Sequence, residues 1–296
     1  MLVFITSLRH PAGTPDYGRT ESYLRDTLAS ICSQTSDDYE VIVVGNQKPA
    51  FPLPERTRFV EVDFPPPTEF AGRMNDLAQH LWDKGTKLGI GLIAARSLDP
   101  DYVMFFDADD FVHRGLAAFV HERPGRPGWY VRRGLIYSRA RNAYAPRLRL
   151  FRICGSTYVI PFSAHKVPAD LLATASQDQV VEAFGPERIE RVVAGHRWAR
   201  EWWRDHGVEL EPLPFPGAVY HVDTGENHSR SVLAGPALPY RSHLLTDFGI
   251  RPSKTPARTY WSAFGLPAFK PDLRVRPPAF LRPKAPRMVR PPSSVA

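Results

Sequence analysis

Cysteine is nearly absent: two residues in 296, Cys32 and Cys154, give neither a disulfide framework nor a paired Cys/His spacing for zinc. Long apolar runs are missing too. Stretches such as Leu88 to Ala95 fall far short of a bilayer crossing. The opening MLVFITSLRH has no basic leader and too short an apolar run for a secretory signal, so the expectation is a cytoplasmic protein. No internal repeat is visible. Acid is scarce in one place only: from Arg251 to the end, Asp272 stands alone against ten Lys/Arg. This tail carries +9 of a total of +7, which leaves the remainder at −2. The basic balance therefore describes a tail and not a nucleic-acid face, and no aromatic residues interleave with a folded basic groove.

The same tail holds ten of the thirty prolines, in runs such as RPPAFLRPKAPRMVRPP. Proline at that density opposes regular helix and central strand, so residues 246–296 are expected to be extended or disordered, outside a domain spanning 1–245. Attraction of the tail to anionic lipid at the inner face of the membrane is its sharper reading, with Phe264, Phe269 and Phe280 able to dip into such a surface.

Residues 1–112 alternate strand-like and helix-like patterns. Leu2 to Thr6 reads as a short buried strand, and Tyr23, Leu24, Leu28 and Ile31 fall at helical spacing within Arg19 to Gln34. Tyr39 to Val44 and Arg58 to Val62 read as further strands. Helical character returns from Gly72 to Ser97, with breaks expected near Gly85 and Gly89, before a strand at Tyr102 to Phe106. Short apolar strands alternating with helices predict an α/β fold with a mostly parallel central sheet. Ligands of such sheets bind beyond the carboxyl ends of the strands, which places Ser7, Gly45-Asn46 and Asp107 along one crevice. Past Phe111 the pattern changes to strands at Trp129 to Ser138 and Leu148 to Ile160, a Trp-rich helix over Glu190 to His206, and a strand at Ala218 to Val222. That half reads as an antiparallel and helical extension walling the crevice. Trp198 and Trp202, at i and i+4, read as a core stripe.

The most informative stretch is Asp101 to Val112, DYVMFFDADDFV, where an apolar strand runs straight into three carboxylates. Residues i and i+2 at a strand end project to one side, so Asp107 and Asp109 share a face. Two carboxylates there suit Mg²⁺ or Mn²⁺, and a cation so held can clamp a diphosphate leaving group. Asp-x-Asp alone is weak, since Asp99-Pro100-Asp101 reads as a plain turn. The preceding VMFF strand distinguishes the second copy. Asp110 is expected to cap a helix over Arg114 to Val120.

With Ile5-Thr6-Ser7, Leu28 to Thr35, Tyr39 to Asn46, Phe105 to Phe111, Cys154-Gly-Ser156 and Tyr220 to Ser229 in place, the chain resembles the nucleotide-sugar-dependent glycosyltransferases of the GT-A fold, family 2-like. The resemblance covers Met1 to Val232. It implies a donor half over about 1–112 and an acceptor half over about 113–245. It also implies transfer of a sugar from a nucleoside diphosphate, with inversion, to a hydroxyl of a glycan or lipid-linked acceptor. Thr6, Ser7 and Asn46 would line the base and ribose pocket, with Arg9 and His10 beside the nucleotide. Asp107 and Asp109 would hold the metal and the donor diphosphate, with Ala108 against the ribose and Lys87 approaching the phosphates. His221 and Asp223 alternate around Val222, and one of them would return a further metal contact. Gly155 and Ser156 would meet the sugar. Where the family places an acidic base, this chain reads Ala194-Gly-His-Arg-Trp198, so His196 or Asp178 would take the proton from the acceptor.

Two other readings compete. A haloacid-dehalogenase-type phosphatase also begins from an apolar strand and Asp-x-Asp, but has Thr or Val where this chain has Phe111. A nucleotidyltransferase needs a Gly-rich basic loop that SLRHPAGTPDYG does not supply. A scaffold that binds glycan or nucleotide without catalysis is the non-enzyme alternative.

Overall fold

The computed structural model describes residues 1–67, 76–225, 231–265 and 268. Strand β1 (Leu2–Ser7) leads through a short turn to α1 (Tyr17–Ile31), then β2 (Tyr39–Gly45), β3 (Thr57–Glu61), α2 (Asp76–Ala95) and β4 (Tyr102–Phe105). β5 (Phe111–Val112), α3 (Leu116–His121), β6 (Trp129–Tyr130), β7 (Arg133–Ser138), β8 (Ala143–Leu148) and β9 (Tyr158–Pro161) follow. Then come α4 (Gln177–Phe184), a helical turn α5 (Pro186–Arg188) running into a π-turn (Ile189–Val193), and α6 (Ala199–Asp205). β10 (Glu211–Pro212), β11 (Ala218–Val222), β12 (Leu238–Pro239), α7 (His243–Phe248) and α8 (Pro256–Phe264) complete the described elements.

These strands form two sheets. The first has seven strands in the order β10-β6-β9-β4-β1-β2-β3, and β4, β1, β2 and β3 run parallel. β9 joins β4 antiparallel, so the expected mostly parallel α/β core with an antiparallel extension is what the chain builds. The second sheet has five strands, β12-β8-β7-β11-β5.

Burial on both faces explains why the parallel strands read as continuous apolar runs. Phe4, Val41 and Val43 point to the face covered by Leu24, Leu28 and Ile31 of α1. Val3, Ile5, Ile42 and Val44 point to the other, under Leu88, Leu92 and Ile93 of α2. Each such side chain contributes about 1.5–3 kcal/mol through removal from water. The Asp16 carboxylate caps α1 by accepting from the Arg19 N–H at 2.9 Å.

The helix expected to break near Gly85 and Gly89 is continuous from Asp76 to Ala95. Its glycines serve close packing. A Cβ on Gly91 would lie 2.3 Å from the Ile5 side chain, one on Gly89 2.5 Å from Val180, and one on Gly85 2.7 Å from Ile189. The helix expected over Glu190 to His206 is instead two pieces, the π-turn and α6, separated by residues 194–198. Trp198 is exposed and Trp203 is buried, so the core position of this segment lies one residue beyond the expected stripe. Residues expected to be extended from 246 onward include the end of α7 and all of α8. Of the rest of that expected tail, residues 249–255, Gly265 and Ala268 are described, and the others, Phe269 and Phe280 included, lie outside the described residues. No helix among the described residues is long and apolar enough to cross a membrane.

Candidate active site

The chain leaves the first sheet at Phe105 and enters the second at Phe111, and Asp107, Asp109 and Asp110 lie in the link between them. Phe106 N–H still donates to the Ile5 carbonyl at 3.0 Å, and the Asp110 N–H then closes a turn onto the Asp107 carbonyl at 3.0 Å. The carboxylates thus sit at the carboxyl edge of β4, on the same edge of the parallel sheet as Ser7 at the end of β1 and Asn46 just after β2.

The three aspartates do different things. Asp110 is completely buried. Its carboxylate accepts from the Ser156 hydroxyl at 2.7 Å, the Cys154 thiol at 3.2 Å and the His221 backbone N–H at 3.1 Å. It caps no helix: α3 starts from Gly115 without a side-chain cap. Burial, and then the charges of Asp109 and Asp107, push its pKa well up. Asp107 and Asp109 are half-buried. The Lys84 ammonium of α2 bonds the Asp107 carboxylate. Burial pushes Asp107 up, but Lys84 outweighs it and holds the carboxyl below its ordinary range. No cation pairs with Asp109 among the described residues, and burial followed by the Asp107 charge pushes it up to about 7. The Thr224 hydroxyl donates to it at 3.3 Å.

Gly155 and Ser156 close this end. Ser156 Oγ accepts the Asp107 N–H at 2.9 Å while donating to Asp110, so the hydroxyl that was expected to meet a sugar is spent inside the link. A Cβ on Gly155 would fall 2.5 Å from an Asp107 carboxylate oxygen, so any larger residue there would displace that carboxylate. His196 lines a small cavity with Asp107, Lys84 and Gly155. Burial lowers its pKa to about 4, against the opposing Asp107 charge, so its imidazole is neutral at pH 7 and able to accept a proton. His165 lines the same cavity, 1% exposed, with neither ring nitrogen hydrogen-bonded among the described residues.

Lys87, expected at the phosphates, is elsewhere. It is fully buried, donating to Asp83 at 2.9 Å and to the Leu8 carbonyl at 2.9 Å. Sequence periodicity places Lys84 and Lys87 on one helix face and cannot say which reaches the rim; Lys84 is the residue that reading missed. His221 does not turn toward the carboxylates as a metal ligand. Its ring packs among Tyr23, Phe111 and Tyr137 at centroid distances of 5.6, 5.5 and 5.7 Å. Asp223 accepts from the Leu233 N–H at 3.5 Å in its own loop. β11 does return to the site, but through the His221 backbone and the Thr224 hydroxyl. Residues 226–229, the end of the Tyr220 to Ser229 segment, lie outside the described residues.

Asp178 and His196 do not share a cavity. Asp178 stands exposed in the first turn of α4, on a cleft of about 720 Å³ also lined by Asn46, Glu61, Asp63 and Phe64. The Asn46 amide nitrogen donates to the Val62 and Phe64 carbonyls at 3.1 and 2.8 Å, which fixes the orientation of the group. Its carbonyl oxygen is left buried with no partner among the described residues. Thr6 is fully buried, its hydroxyl likewise without a partner among them, and Ser7 is half-buried at the strand end. His10 uses Nδ1 to accept the Ala12 N–H at 3.0 Å. Arg9 and His10 are near enough to Asp83 to add positive charge there.

No three His, Cys, Asp or Glu side chains among the described residues form a group able to hold a metal ion. Asp107 and Asp109 still fit a cation of the Mg²⁺ type, which takes one or two carboxylates and completes its shell with substrate phosphates and water. The raised Asp109 is a carboxyl short of positive charge, and a cation would supply it.

No protein-family model and no curated protein matches the chain. Among solved structures, it is similar to TarS of S. aureus at 11% identity and TM-score 0.39, with 75% of this chain covered and 36% of that one. The chain thus spans about a third of the length of TarS. Mouse xyloside xylosyltransferase 1 matches at 10% identity and TM-score 0.34, over 72% of this chain and 83% of that one. The galactosyltransferase LgtC, solved with donor and acceptor sugar analogs, matches at 13% and TM-score 0.28, over 62% and 65%.

Proposed function

We propose that the protein is a GT-A-type glycosyltransferase moving a sugar from a nucleoside diphosphate to a hydroxyl of a glycan or lipid-linked acceptor, with inversion. One observation carries this reading: two half-buried carboxylates, an ammonium and a neutral imidazole meet at the end of β4, two strands from a nucleoside-sized cleft. Two strand spacings are about 10 Å, a span that suits a base at one end and a diphosphate at the other. The acids Glu61, Asp63 and Asp178 around the cleft repel phosphate and suit a base or ribose that donates hydrogen bonds, and Asn46 offers its free carbonyl to one. Lys84 stands at the other end, with Arg9 and His10 after β1.

Asp107 and Asp109 would hold Mn²⁺ or Mg²⁺, which when bound supplies positive charge to the departing diphosphate. Lys84 adds a fixed charge on the same side. The acceptor oxygen attacks the anomeric carbon as the sugar–phosphate bond breaks and its electron pair leaves with the diphosphate. His196 takes the acceptor proton. Asp178, remote from that cavity, suits the nucleoside better than the proton. The donor half would then comprise about 1–112 and the acceptor half about 113–245, in a cytoplasmic protein whose basic tail attracts anionic lipid.

Thermal stability against UDP, GDP and dTDP, each with and without Mn²⁺, tests the reading. A nucleotide at about a hundred times its dissociation constant stabilises the fold by about 2.7 kcal/mol. The expected result is a metal-dependent shift with one nucleotide, lost in Asp107→Ala/Asp109→Ala. A shift indifferent to metal and to both aspartates, or none at all, would overturn it.

A further inference from the structure

Surface helices ordinarily bury an apolar stripe and expose a polar one. α8 (Pro256–Phe264) does the reverse. Its inward residues are small and polar: Thr259, Ser262 and Ala263. They are held by hydrogen bonds, with the Asn142 amide donating to Thr259 Oγ1 at 2.6 Å. The buried Arg141 guanidinium donates to the Ser262 and Ala263 carbonyls at 3.0 and 3.1 Å. Its outward residues are Tyr260, Trp261 and Phe264, exposed by 52, 57 and 50%. Positions 260 and 264, and 261 and 264, are neighbours on a helix surface, so the three rings make one patch. The fold has fixed this helix by polar clamps and left its aromatic face outward.

We propose that this face seats the protein on an anionic lipid surface, with the rings at headgroup depth. The inference rests on the attraction of the tail to lipid and adds the folded element that would do the seating. Three observations favour lipid. Tyrosine and tryptophan suit a boundary where one end of the ring is apolar and the other wet. Arg258 on the same helix and Arg251 just before it are exposed. The sequence after Phe264 adds seven Lys/Arg against one acid, so the segment that follows the patch in the chain is basic. A second copy is a poor occupant, because each would bring the same +9 segment against the other.

The test is sedimentation of the full chain with phosphatidylcholine vesicles, with and without phosphatidylglycerol. Binding is expected only to the anionic vesicles, and about tenfold weaker in Tyr260→Ser/Trp261→Ser/Phe264→Ser. Quenching by brominated lipid, compared between the native chain and Trp261→Phe, reads the depth of Trp261 without relying on the triple variant. Quenching lost in Trp261→Phe supports the inference. If the native chain ignores anionic vesicles, both the tail reading and this inference fall. If the triple variant binds as well as the native chain, or Trp261 is not quenched, the tail reading stands and the seating face falls. A self-associating native chain that becomes monomeric in the triple variant would assign the face to a second copy and overturn the proposal.

Discussion

The rim of the crevice and the layer just behind it are built from the same residue types and behave oppositely. At the rim, Lys84 pairs with Asp107, both partly exposed, and Asp109 has no cation of its own among the described residues. Behind it, Lys87 pairs with Asp83 in full burial, and Asp110 is enclosed by three donors. The residue pairs are only three positions or fewer apart in sequence. What separates a binding group from a structural one here is depth, and depth changes the cost of altering it. A rim carboxylate can exchange its partner for an incoming cation, whereas a buried one cannot lose a partner without stranding a charge.

That contrast is breakable by substitution. The largest expected effect is on turnover: Asp109→Asn should lower transfer by about a thousandfold, the scale of losing one charge-stabilising group, with the melting temperature nearly unchanged. Steady-state kinetics with the donor identified by thermal shift would measure it. Behind the rim the loss moves to stability. Lys87→Met leaves Asp83 buried and uncompensated, and should cost about 3–5 kcal/mol in urea unfolding. Lys84→Met should cost less than about 1 kcal/mol, weaken nucleoside diphosphate binding, and tighten Mn²⁺ binding without nucleotide by removing a competing cation. Titration calorimetry separates the two ligands. A Lys84→Met loss as large as that of Lys87→Met would erase the distinction between rim and interior.

A pH dependence sharpens the same comparison. Burial lowers the His165 pKa to about 3, while in the unfolded chain it titrates near 6.5. Below that value the unfolded chain binds a proton that the folded one refuses. The contribution is therefore full above about pH 6.5 and declines as pH falls, by up to about 1.4 kcal/mol per unit. Urea unfolding between pH 7 and 4 should show this slope, shallower in His165→Phe. At the far cleft the effect is modest: Asn46→Ala removes the amide bonds to Val62 and Phe64 and should cost about 1 kcal/mol of stability.

Much of this arrangement was legible from spacing. β11 falls where the Ala218 to Val222 pattern places it, and the parallel strands read as apolar runs because both faces are covered. Four features were not legible, each for a physical reason. The glycines of α2 look like breakers, because propensity does not register the neighbours that need their missing Cβ atoms. Lys84 and Lys87 share a helix face, so periodicity cannot rank their depth. His221 alternates correctly around Val222, yet its ring packs among Tyr23 of α1, Phe111 of β5 and Tyr137 of β7, neighbours that no local pattern announces. The proline count of the tail concealed α8, where Pro256 occupies the first helical turn, a position that tolerates it.

Asp110 also sets an order of events. Its bonds to Ser156 and to the His221 N–H close loops of 46 and 111 residues. Contacts so distant along the chain form late and slowly. The parallel strands can pair as soon as β4 has emerged, but the carboxylate link has no full set of partners until His221 has been made. Competence for the proposed reaction would therefore mark the end of folding, and a truncated chain lacking β11 would keep the cleft without the site.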